Sequence, residues 1–204
     1  MDRRSDPYSP DREQDFTTRP GVLPQSAPDG EPEPAPRHRH PQPEVPDLLV
    51  ANAGLVLLHP YLDYLRATTG AERNDPLTAV LLHYAVFGTA DCGEWDLPLT
   101  KVLLGGRPTN YLPPPQEGPT AGQLRSIDEL LDGVLEHWAA LGSTDRDGLR
   151  HNFLQRPGKL ESATGSWLLT VERRAYDMLL DRLPWTFSTV KTGAMDLPLY
   201  VNWT

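Results

Sequence analysis

Apolar residues recur at helical intervals through most of the chain after residue 54 and turn to strict alternation near residue 158. In 75-DPLTAVLLHYAVFG-88 they fall on most sides of the implied helix, which marks it as central. Asp75 as N-cap, Pro76 at the first helical position and Gly88 as the stop set its boundaries. The stretch 120-TAGQLRSIDELLDGVLEHWAALG-142 predicts the clearest helix. Leu124, Ile127, Leu131, Val134, Leu135, Trp138 and Leu141 share one face, and Thr120 with Gln123 has capping-box spacing. A further helix is expected from Leu55 to Thr68, where Pro60 predicts a kink or a late start and Gly70 a stop. Short helices over 98–106 and 145–156 complete this part.

The period then changes. Trp167, Leu169 and Val171 alternate with Leu168 and Thr170, which reads as a strand, and 158-GKLESATG-165 supplies a partner strand and turn. From Ala175 to Leu183 helical spacing returns through Met178, Leu179 and Leu183. Leu197, Leu199, Val201 and Trp203 then lie on one face of a closing strand. The pattern predicts an α+β fold: a helical N-terminal part followed by a small antiparallel sheet with one packed helix.

Composition changes the picture at the N-terminus. Residues 1–46 hold eleven of the 22 prolines and few large apolar side chains. Such a segment buries too little apolar surface to offset its ordering entropy, roughly 1–2 kcal/mol per residue. We therefore expect a disordered, partly polyproline tail over 1–46 and a folded region over 47–204. The loop 107-RPTNYLPPPQEGP-119 is long and proline-rich, as contact surfaces often are. The net charge of −9 argues against a nucleic-acid partner, because duplex affinity rests on phosphate neutralisation. The N-terminus lacks the apolar stretch of a secretory signal, and no run approaches the ~18 apolar residues of a spanning helix, so membrane insertion is not expected and the location is read as cytoplasmic. Cys92 is the single cysteine, which precludes an intramolecular disulfide.

The richest stretch in charge and aromatic character is 166-SWLLTVERRAYDMLLDRLPW-185. Asp177 and Asp181, four apart, would share a helical face, as paired carboxylates for acid–base work or cation binding do. Arg173 is spaced for an ordinary surface ion pair with Asp177, and we favour that reading. His59, His83, His137 and His151 have no partner at metal-ligand spacing, and Cys92 has no neighbouring cysteine. No nucleophile elbow or phosphate loop occurs. No catalytic residue, metal or cofactor is expected. Trp185, after Pro184, and Trp203, next to last, suit either core or a contact surface; with Tyr200 and Arg182 they are the candidate interface residues.

Read together, 52-NAGLVLLHPYL-62, 137-HWAALGSTDRDGLRHNFLQRPGKL-160, the stretch 166–185 and 197-LPLYVNW-203 resemble the C-terminal region of contractile injection system tape measure proteins, parts of phage-tail-like particles. The resemblance runs from about Val50 to the end. It implies a non-enzymatic structural or assembly protein that associates with baseplate hub, spike or inner tube and helps to set tube length. Two departures accompany it. The passage 191-KTGAM-195 is more polar than the family's. The ruler segment is also missing, since a 46-residue tail spans on the order of 160 Å when fully stretched. Alternatives are a hydrolase or metalloenzyme whose site forms only in space, from residues such as His83, Cys92 and Asp177, or an adaptor that binds effector cargo through its tail.

Overall fold

The computed structural model describes residues 46–69 and 72–204. The expected leader up to residue 45 and the Gly70 stop lie outside the described residues. A strand, β1 (Leu48–Val50), precedes every described helix, where the sequence shows only an apolar entry. A 3-10 segment follows over Ala53–Leu58, with all six residues buried, and α1 runs over His59–Thr69. Of the two outcomes open to Pro60, the late start prevails. A proline is tolerated in the first turn because the amide there has no intrahelical partner to lose.

The central helix α2 (Pro76–Phe87) keeps its expected bounds, with the Thr78 amide donating to the Asp75 carboxylate at 2.7 Å. α3 spans Pro98–Leu103 and α4 spans Ala121–His137. Thr120 and Gln123 form the expected capping box, while Trp138 leaves helical geometry and a 3-10 turn takes over at Ala139–Leu141. The helix expected over 145–156 divides into α5 (Arg146–Leu149) and a π-helical turn, Arg150–Leu154.

The strands are β2 (Gly158–Ala163), β3 (Ser166–Val171), β4 (Thr189–Val190) and β5 (Leu199–Trp203), in the order β1-β2-β3-β5-β4. The α+β class holds, but the sheet is mixed and not purely antiparallel, because β3 and β5 run parallel with Leu169 opposite Val201. Between them the chain crosses over through a 3-10 segment, Ala175–Arg182, and the short β4, so β5 returns in the direction of β3. The crossover also corrects the expected helix there. With three residues per turn, Asp177 and Leu180 face inward together and Met178 is left 65% exposed. Leu160, Leu169, Val171, Leu199 and Val201 form the buried face of the sheet, continuous with the apolar sides of α2 and α4.

Candidate functional site

The charged stretch after β3 closes around a buried ion pair. Arg156, just past the π-helical turn, and Asp177 have no solvent-exposed side-chain surface. The guanidinium donates to both carboxylate oxygens, at 2.6 and 2.8 Å, and also to the Glu172 carbonyl at 2.6 Å. Asp177 further accepts from the Arg174 amide and from the Trp203 indole N–H at 2.9 Å. Burial on its own would raise the carboxyl pKa. The Arg156 guanidinium, the Arg174 amide and the Trp203 indole outweigh it and hold Asp177 below its ordinary value. The Arg156 guanidinium also lies over the Trp203 ring, 5.1 Å from its centroid. Asp177 therefore does not pair with Arg173, whose partner is the exposed Asp181 at 3.4 Å, and the two aspartates share no face.

The stretch 150–156 serves the same end. Arg150 donates to the Ala85 carbonyl at 3.2 Å and Gln155 to the Val86 carbonyl at 3.0 Å, satisfying the open C-terminus of α2. Phe153 packs edge-on to the fully buried Trp138. The backbone of residue 54 comes so close to Phe153 that a Cβ on Gly54 would overlap the Phe153 carbonyl oxygen. The residues that carry the family resemblance are thus largely engaged with one another.

The four candidate interface residues separate. Trp185 is half-buried, gives its indole N–H to the Leu57 carbonyl at 2.9 Å and meets Tyr61 edge-on. Trp203 is half-buried on the Asp177 node. Tyr200, 48% exposed, lies on the outer face of β5, and Arg182 is exposed at the end of the crossover segment. The two tryptophans are thus tied to different partners, the Leu57 carbonyl and Asp177, and Tyr200 and Arg182 stand on different elements.

A second locus was visible in the sequence only as a long loop. The Lys101 side chain, 1% exposed, is buried beneath residues 108–112, where its ammonium pairs with Glu94 and donates to the carbonyls of Asn110 (2.8 Å) and Pro108 (3.3 Å). Glu94 in turn accepts from the Leu112 amide at 3.3 Å. This clamp fixes the loop against the turn Glu94–Asp96 and leaves a cleft of about 420 Å³. Trp95 on that turn is 80% exposed and Tyr111 on the loop is 71% exposed. The Trp95 ring lies directly over residue 93, where any Cβ would run into it, so Gly93 is required for this pose. Sequence reasoning passed over Trp95, although its place between Glu94 and Asp96 in a Gly-started turn is a signal of exposure.

Among the described residues, no group of three or more His, Cys, Asp or Glu side chains is placed to hold a metal ion. Burial, reinforced by Asp96, Asp91 and Glu94, pushes the Cys92 thiol pKa up, which keeps it protonated and a poor nucleophile. Burial lowers His83, which stays neutral against Phe87 at 4.6 Å between ring centroids. No described helix is long and apolar enough to cross a membrane.

A family model described as contractile injection system tape measure protein matches residues 3–203. The chain belongs to this tape measure family. The match starts at residue 3 and not near Val50, so it takes in the proline-rich leader as well as the folded region. No curated protein and no solved structure matches the chain. Membership of a structural family agrees with a site whose buried charges are held by one another.

Proposed function

We propose that this tape measure family member is a non-catalytic assembly part of a contractile injection particle. In this reading it is made in the cytoplasm and docks on baseplate hub, spike or the first inner-tube rings while the particle is built. The match over nearly the whole chain carries the reading. The structure supports it with a rigid body in which Arg156 and Asp177 engage each other and exposed aromatic side chains remain outside. The longest described helix, α4, has 17 residues, about 26 Å at 1.5 Å per residue. We therefore assign the folded region to docking.

Deleting the gene and imaging the particles tests this. Loss of complete particles or a changed tube-length distribution is expected. Normal yield with unchanged tube length overturns the reading.

A further inference from the structure

The cleft beside Trp95 has a one-sided chemistry that the fold does not use. Five prolines line it, Pro76, Pro113, Pro114, Pro115 and Pro119. Proline has no backbone N–H, so this wall offers a ligand carbonyl oxygens and no main-chain donors. No lysine or arginine lines the cleft, and its charged side chains are Asp91 and Glu94. Glu94 is balanced by Lys101 from below, which leaves the exposed Asp91 without such compensation in the lining. The walls accept hydrogen bonds, carry a negative charge and present one aromatic ring, that of Tyr111, while Trp95 stands on the adjoining turn outside the lining.

We propose that this cleft docks an extended segment of another protein of the particle, with an arginine or lysine side chain of that segment entering between Tyr111 and Asp91 and the segment running on over the exposed Trp95 of the adjoining turn. This deepens the assembly reading and rests on it for the identity of the partner. Three features carry the match. The charge and the proline wall without amide donors favour a cationic, donor-rich ligand, and arginine supplies five N–H donors on a flat group that stacks on aromatic rings. The loop is already fixed by the Lys101 clamp and by its prolines, so binding costs little further ordering on this side. A tryptophan that is 80% exposed, with its ring lying over Gly93, has the position of an anchor residue, a type enriched among binding hot spots. The volume, about 420 Å³, falls within the range of ligand sites and admits one long side chain with its flanking backbone.

The test titrates the full chain against a fluorescent peptide of alternating proline and arginine, and against the same peptide with glutamate in place of arginine. Saturable binding of the arginine peptide alone is expected. Trp95→Ala and Tyr111→Ala each weaken it by about tenfold or more. Asp91→Lys, a surface change that leaves both aromatics in place, weakens it as well, and Tyr200→Ala on the sheet does not. Thermal melts of all variants report that they fold. Equal binding of the glutamate peptide, or wild-type affinity in the Trp95 and Tyr111 variants, overturns the inference. Co-purification of the Trp95→Ala/Tyr111→Ala double variant with particles separates the two claims. Wild-type recovery sinks the docking cleft and leaves the assembly reading standing, whereas loss from particles together with loss of peptide binding supports the cleft.

Discussion

Two of the places where this molecule holds a buried cation against a carboxylate do opposite things with it. At Arg156 and Asp177 both partners are fully buried, and Trp203 and the backbone at 172 and 174 add further hydrogen bonds, with Arg156 Nε alone left unpartnered on the guanidinium. At Lys101 and Glu94 only the lysine is buried, and the carboxylate side opens on the cleft. The first pair closes the sheet crossover. The second holds a proline loop in a fixed shape and keeps Trp95 and Tyr111 in water. Ion pairs of similar chemistry therefore mark a locked joint in one place and a pre-formed surface in the other, and the exposure of the neighbouring aromatics tells them apart.

The largest expected effect is at the closed pair. Asp177→Ala leaves a buried guanidinium without its counter-charge, and a loss of about 3–5 kcal/mol in chemical denaturation is expected. The same pair sets an acid limit. Its carboxyl pKa is lowered in the fold, so its contribution is complete above the unfolded value, about 4, and is lost as pH falls through the folded value. Urea titrations in wild type and in Asp177→Ala measure this, and the variant loses that part of the acid dependence. Next comes Lys101→Met, which removes the donor from two loop carbonyls and from Glu94. We expect about 2–3 kcal/mol of destabilisation and faster amide exchange at residue 112. Trp185→Phe keeps the ring contact with Tyr61 but drops the bond to the Leu57 carbonyl, which costs about 1 kcal/mol in the same assay. Smallest is Trp95→Ala, expected to change stability by no more than about 0.5 kcal/mol. A loss like that of Lys101→Met would make Trp95 part of the fold and erase the contrast between the two regions.

Much of the helical part was legible in the sequence because its signals are local. Asp75, Pro76, Thr120 and Gln123 each act within one turn of the residues they cap. The misread elements depend on distant partners. The parallel pairing of β3 with β5 follows from a crossover whose inward residues, Asp177 and Leu180, are chosen by Arg156 and the core. Period alone made that crossover a helix with Met178 inside. Asp177 looked like a surface residue because its partner lies 21 positions away. The loop 107–119 was readable from its prolines as an extended, non-helical segment. Its clamp was not, since nothing in the sequence says that Lys101 points inward.

Site-specific photo-crosslinking in assembling particles tests the central claim most directly. A photoreactive side chain in place of Trp95, in the full chain, is predicted to capture a baseplate, spike or inner-tube protein. The same group in place of Tyr200 or Arg182 provides the comparison. Capture of particle proteins only from 200 or 182, or from none of the three positions, would contradict the account.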